Sequence, residues 1–281
     1  LHTKKQPKSS VGYTKKSMKI KDSNALIIDM DGVLWRGHTF LPGVTEFFAY
    51  LRRRSIPFII ATNNSTATPQ SVANRLAQID VEIQPGEVLT SSLATAAYLQ
   101  TRFSAGAKVH AIGETAVRTA ISEAGFELSD DSDDVQVVVV GFDREISWEK
   151  LTRAALAIQK GALFVGTNPD PSFPIEHGQA PGNGAFVTAL QVTTRVDPVI
   201  IGKPEPRLFE QAAKSLGLAA NGILTVGDRL ETDILGAQRA GMATVLMLTG
   251  VTSAEEARTS QIKPDWIFDD LHALTQALAG V

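Results

Sequence analysis

Cysteine is absent from all 281 residues. Its absence excludes disulfides, thiolate metal centres and a cysteine nucleophile, and says little about compartment. No stretch of about 18 consecutive apolar residues occurs, so no transmembrane helix is expected. Acidic residues are missing from positions 1–21, which carry seven lysines (4, 5, 8, 15, 16, 19 and 21). The 20 remaining basic residues face all 30 acidic ones, so the rest of the chain has a formal charge of −10. The lysine-rich segment has no apolar stretch for a secretory signal and lacks the arginines of a typical transit peptide. A basic arm can touch nucleic acid or an anionic membrane, but so acidic a body argues against a general nucleic-acid binder. Residues 1–21 are expected to form a basic, disordered leader, of which 1–17 read as non-native and Met18 as a natural start. Neither nucleic acid nor membrane is expected as a partner, and the expected location is cytoplasmic.

What is present is globular in composition, with 43% hydrophobic and 20% charged residues. The length fits one large domain or two modest ones. Short apolar runs alternate with stretches of helical periodicity, the pattern of an α/β protein with a mainly parallel sheet. The runs are 25–28, 58–61, 109–112, 135–140, 163–165, 199–201, 223–226, 244–248 and 266–268. Val137–Val140 is unbroken valine, as expected of a strand buried on both faces. Helical candidates lie at 44–54, 70–78, 92–103, 148–160, 206–216 and 232–240. Gly161 and Gly217 supply two of their stops.

Four runs end in residues capable of chemistry. The first passes into Asp29-Met30-Asp31-Gly32, the second into Thr62-Asn63-Asn64-Ser65. The third passes into Gly202-Lys203-Pro204 and the fourth into Gly227-Asp228. Ligands of open parallel sheets bind beyond the carboxyl ends of the strands, so the four ends are expected to share one site. Taken singly, Asp-Gly is commonly just a turn, Lys203 could be a solvated loop residue, and Asp233 could merely cap a helix. Four such ends in one order are harder to dismiss.

Asp29 and Asp31 lie two apart in an extended segment, so their side chains can point the same way. Carboxylates that close repel unless a cation sits between them or one holds a proton. Oxygen ligands without His or Cys suit Mg²⁺. Asp228 and Asp233 add a second acidic pair, the latter in the first turn of the next helix. Thr62, Asn63 and nearby amides can hold phosphoryl oxygens, and Lys203 adds positive charge. Cations are needed where an anionic nucleophile meets an anionic phosphate, so the set reads as phosphoryl transfer.

The segments Asp29-x-Asp31-Gly32-Val33-Leu34-Trp35, Thr62-Asn63-Asn64-Ser65, Gly202-Lys203-Pro204-x-Pro206 and Gly227-Asp228-Arg229-Leu230-x-Thr232-Asp233-Ile234 resemble the four motifs of the haloacid dehalogenase-like hydrolases. The resemblance is to the NagD / 4-nitrophenyl phosphatase subfamily and covers about residues 22–281. It implies a Rossmann-like doubly wound core and a Mg²⁺-dependent phosphatase acting on a small phosphorylated metabolite. Asp29 would form an aspartyl-phosphate, and Asp31 would serve as acid and then base. Thr62 would bind phosphate and Lys203 balance charge. The metal would be held by Asp29, the backbone carbonyl of Asp31 and Asp228, with Asp233 more peripheral. Asn63 and Asn64 join the expected substrate contacts.

Between Thr62 and Lys203 lie 140 residues. Residues 104–182 read β-α-β-α-β, a smaller α/β cap inserted into a core of 22–103 and 183–281. Such a cap excludes water and selects the leaving group. Its loop 166–174 is expected to set specificity, and the family places a comparable loop near substrate, which makes Asn168 and Asp170 candidates. His177 is a weaker candidate, Asn183 reads as a helix N-cap, and Trp35 and Arg36 as gate or core. A cap can also serve as a homodimer interface. Asp31 argues against dehalogenation, and the 30 residues between Asp31 and Thr62 leave no room for the inserted cap usual in sugar-phosphate mutases. A phosphotransferase or mutase remains an alternative, with a phospho-accepting signalling domain or a silent metabolite sensor further off.

Overall fold

A computed structural model describes residues 19–281. The expectation of a non-native leader at 1–17 lies outside the described residues. The first section comprises β1 (Ala25–Ile28), β2 (Trp35–Arg36), β3 (Thr39–Phe40), α1 (Val44–Arg53), β4 (Phe58–Thr62), α2 (Pro69–Ala77), β5 (Val88–Thr90) and α3 (Ser91–Gln100). The middle section comprises β6 (Lys108–Ile112), α4 (Thr115–Glu123), β7 (Glu127–Leu128), β8 (Val137–Val140), α5 (Trp148–Gln159), β9 (Leu163–Gly166), β10 (Ser172–Ile175), β11 (Gly178–Pro181), α6 (Asn183–Thr194) and β12 (Val199–Ile200). The last comprises α7 (Arg207–Leu216), β13 (Ile223–Gly227), α8 (Leu235–Arg239), β14 (Ala243–Met247), α9 (Ala254–Thr259), β15 (Trp266–Phe268) and α10 (Leu271–Ala279).

Two parallel sheets organise these elements. The larger has the order β15-β14-β13-β1-β4-β5, the smaller β12-β9-β8-β6-β7. In the larger sheet β1 lies between β13 and β4, with Ile28 opposite Val226 on one side and Ile60 on the other. Asp29, Thr62 and Asp228 therefore leave three adjacent strands at one edge. The strands are buried on both faces because alternate residues serve different layers. Leu26 and Ile28 pack with Phe47, Leu51 and Leu274, while Ala25 and Ile27 join the cluster of Leu99, Leu208 and Phe209. That second cluster also takes in Val109, Val117, Val137 and Val165, so the two sheets share an apolar seam.

The smaller sheet runs further along the chain than residue 182. Helix 183–194 and the run 199–201 were expected with the larger sheet. Instead β12 pairs with β9, Val199 opposite Val165 and Ile200 opposite Gly166. Val187 and Leu190 of α6 pack with Val138, Val140 and Phe164. Gly166 explains the fit: a Cβ there would lie 2.8 Å from Ile200 Cδ1 and 3.1 Å from Val187 Cγ2. The missing side chain lets α6 and β12 close onto β9.

Smaller differences have local causes. The leader expected through residue 21 is ordered at its end: Ile20–Asp22 forms a 3₁₀ turn and Ile20 packs on the core. The helix expected at 232–240 begins as a π turn over Leu230–Ile234. Gly182, not Asn183, is the N-cap of α6. Asn183 is buried, and its amide donates to the carbonyls of Val140 (3.1 Å) and Asn168 (2.9 Å) and to Thr167 Oγ1 (3.2 Å). It ties β8, the loop after β9 and α6 together. Asn183→Ala is expected to cost about 2–4 kcal/mol, because three acceptors lose a buried donor; urea denaturation measures this.

Candidate active site

Gly32 shows how tightly the edge is built. Its φ is +85°, and a Cβ there would strike the Asp228 carboxylate and lie 2.9 Å from Gly250 Cα. Only glycine combines that backbone conformation with that approach. Gly250 crowds the same carboxylate from the loop after β14. The Val251 amide donates to Asp228 Oδ2 at 2.7 Å. Thr249 Oγ1 donates to the Gly32 carbonyl at 2.7 Å, and Arg36 Nε donates to the Thr249 carbonyl at 2.5 Å. Asp228 is thus clamped between two glycine-containing loops.

Lys203 is 3% exposed and holds the other two carboxylates. Its Nζ lies 2.5 Å from Asp29 Oδ1 and 2.8 Å from Asp233 Oδ1. Asp233 Oδ2 accepts from the backbone amides of Asp228 (3.2 Å) and Arg229 (3.1 Å). Asp233 therefore shapes the loop after β13 and anchors the ammonium. Oxygens of Asp29, Asp228 and Asp233 all lie within 4.8 Å of one another. Asp228 Oδ1 is buried and has no hydrogen-bond partner. A hard, all-oxygen cluster with one orphaned buried oxygen fits a divalent cation. The Asp31 side chain is outside this cluster and exposed.

Charge crowding shifts these groups. Burial raises the Asp29 carboxyl well above the usual range; Lys203 opposes this, while Asp233 and Asp228 add to it. Burial followed by the Asp233 charge pushes Asp228 up to about 7. Burial alone would lower the Lys203 ammonium, but Asp233 and Asp29 outweigh it and raise the pKa. Burial also raises Asp170, against the opposing effects of its bond from Asn63 and the Arg229 and Lys203 charges.

The remaining candidates divide into groups that face the cavity and groups that hold it. Thr62 is buried, and its Oγ1 accepts from the Asn64 amide at 3.0 Å. Asn64 Oδ1 accepts from the Thr66 amide at 2.9 Å, closing the turn. Asn63 Oδ1 accepts from the Lys203 amide at 2.8 Å. Asn63 Nδ2 donates to the Lys203 carbonyl at 3.0 Å and to both Asp170 oxygens at 3.2 Å. Asn168 Nδ2 donates to the Asn63 carbonyl at 2.8 Å, and its Oδ1 accepts from the Asp170 amide at 3.1 Å. Asn63 and Asn168 thus spend their amides fastening the two sheets' loops around Lys203. His177 is exposed, with Glu176 Oε2 3.9 Å from its Nε2.

All ten candidate residues converge on one cavity of about 550 Å³, which Asp29, Asp31, Thr62, Asn63, Asn64, Asn168, Asp170, Lys203, Asp228 and Asp233 line together with residues not singled out as candidates. Phe142, Arg144 and Phe173 come from the middle section, Arg229 and Gly250 from the last. The Phe142 and Phe173 rings meet edge to face at 5.2 Å. The Phe142 amide donates to Ser65 Oγ at 3.0 Å, joining β8's loop to β4's. Thr249-Gly250 at the end of the 244–248 run was a fifth strand end, legible by the same rule as the other four.

The Asp228 value fixes the sign of a pH effect. A carboxyl raised from 3.8 to about 7 in the folded protein contributes stability below 3.8 that is lost as pH climbs through 7. In EDTA, the melting temperature is expected to fall over that window and Asp228→Asn to flatten the fall. Thermal denaturation against pH checks it.

Comparison with known proteins gives a consistent picture. Residues 26–127 match the family described as haloacid dehalogenase-like hydrolase, and residues 200–274 match a second described as HAD-hydrolase-like. The acid sugar phosphatase of Staphylococcus aureus is 40% identical over 253 residues, 90% of this chain and 97% of that protein. The p-nitrophenyl phosphatase from Archaeoglobus fulgidus superposes with a TM-score of 0.87 at 34% identity, covering 92% of this chain and 100% of that one. The glycerol phosphate phosphatase from Mycobacterium tuberculosis, in complex with magnesium, gives a TM-score of 0.84 at 34% identity, covering 92% and 78%.

Proposed function

This chain belongs to the haloacid dehalogenase-like hydrolases, in their NagD / 4-nitrophenyl phosphatase subfamily, and is a phosphoric monoester hydrolase; we propose that it cleaves small phosphomonoesters through an aspartyl-phosphate on Asp29. The observation that carries this reading is the contact of Asp29 with buried Lys203 at the floor of the shared cavity. The ammonium at that distance opposes the upward shift that burial imposes on Asp29 and so favours the carboxylate form, the one that attacks phosphorus.

In the first step an Asp29 carboxylate oxygen bonds to phosphorus and the bond to the ester oxygen breaks. Asp31, at the mouth of the cavity, gives its proton to that departing oxygen. In the second step water attacks phosphorus, Asp31 takes the water proton, and the bond to Asp29 breaks to release phosphate. Thr62 and the turn amides beside it bind phosphoryl oxygens, and Lys203 offsets the charge of Asp29 and the phosphoryl group. Asp29, the Asp31 carbonyl and Asp228 would hold Mg²⁺, with Asp233 orienting the set through Lys203 and the loop amides. When bound, the cation screens the approach of anion to anion and stabilises negative charge on the phosphoryl group.

The middle section serves as the cap. Phe142, Arg144, Phe173 and Asp170 form the wall that meets the leaving group, and Asn63 and Asn168 join that wall to the floor.

Phosphate release from a panel of small phosphomonoesters tests the reading. Turnover is expected with Mg²⁺ and lost in EDTA, and Asp29→Asn should lower it by at least about 10⁴-fold while leaving the protein folded by circular dichroism. An Asp29→Asn variant of near-normal activity would show that the nucleophile lies elsewhere.

A further inference from the structure

Trp35 follows the acid–base carboxylate by four residues and is 2% exposed. Its indole does not simply fill the core. Nε1 donates to Asp31 Oδ1 at 2.9 Å. The backbone is folded to make that bond: the Gly32 amide donates to the Trp35 carbonyl at 2.7 Å, and the Leu34 amide to the Met30 carbonyl at 2.8 Å. The indole plane is fixed as well. The Arg75 guanidinium sits 4.0 Å from the ring centroid, and Arg75 also donates to the Gly37 carbonyl of the β2–β3 hairpin. Phe40 meets the ring edge-on at 6.0 Å and 81°.

We propose that Trp35 is a positioning residue for Asp31, its indole N–H tethering Oδ1 so that the other carboxyl oxygen is presented to the leaving group, with Arg75 and Phe40 holding the indole. The carboxylate needs such a hold because it is exposed and outside the Lys203 cluster. An untethered aspartate samples several rotamers, and a misplacement of about 1 Å can cost on the order of 100-fold in proton transfer geometry. The inference rests on the reading of Asp31 as the group that protonates the leaving oxygen.

The test compares two esters of nearly the same shape. 4-Nitrophenolate leaves readily without a proton, whereas phenolate depends on one more heavily. The readout is the kcat/KM ratio of phenyl phosphate to 4-nitrophenyl phosphate in the Mg²⁺-loaded enzyme. Trp35→Phe keeps a ring for Arg75 and Phe40 and removes only the donor. The ratio is expected to fall on the order of 10-fold, with the larger loss on phenyl phosphate. Asp31→Asn should lower it further. Arg75→Met, which keeps the N–H but frees the ring, should lower it in the same direction and serves where Trp35→Phe does not fold.

Equal losses on both esters in Trp35→Phe, with Asp31→Asn still discriminating, would reduce Trp35 to a packing residue. No change of ratio in Arg75→Met, again with Asp31→Asn discriminating, would overturn the tether in the same way. An unchanged ratio in Asp31→Asn would instead overturn the role of Asp31 itself.

Discussion

Lys203 Nζ lies 2.5 Å from Asp29 and 2.8 Å from Asp233, a buried ammonium held between two carboxylates. Removing a buried charge from water costs several kcal/mol, recovered only through close partners. Much of the structure around the cavity serves that contact. Asn63 grips the Lys203 backbone from both sides, and Asp233 fastens the ammonium to the loop after β13. The adjacency of β13, β1 and β4 brings the carboxylates and Thr62 to one edge. Three carboxyls crowd one ammonium, and Asp228 Oδ1 is the buried oxygen of this cluster that has no hydrogen-bond partner among the described residues.

The middle section is bound to this cluster rather than merely placed over it. Asn63 reaches Asp170, Asn168 reaches the Asn63 carbonyl, and the Phe142 amide reaches Ser65. The same loops that hold Lys203 therefore present the middle section's residues to the cavity. A change in the wall and a change in the floor are expected to couple.

Much of this was legible in the residues. The period of apolar runs was enough for an α/β fold, and the strand ends located Asp29, Thr62, Lys203 and Asp228. Strand order was less accessible, because β12 reads as an ordinary apolar run and only Gly166 shows why it pairs with β9. The two-residue strands β2 and β3 are too short for a periodic signal. Asn63 looked like a ligand contact because an amide can hold phosphoryl oxygens, and Asn168 because the family places a comparable loop near substrate. Their use as fasteners depends on residues more than 100 positions apart. Asp233 was expected at the edge of the metal set, and its bonds to Lys203 and the loop amides were not legible because those partners meet only in the fold.

The central claim is that Asp29 carries the phosphoryl group. The direct measurement is to quench the enzyme during turnover, reduce the acyl phosphate with borohydride and sequence the peptides by mass spectrometry. The account predicts homoserine at position 29 in the presence of substrate and aspartate there without it. Homoserine at another aspartate, or a phosphoryl group stable to borohydride on a different side chain, would contradict it.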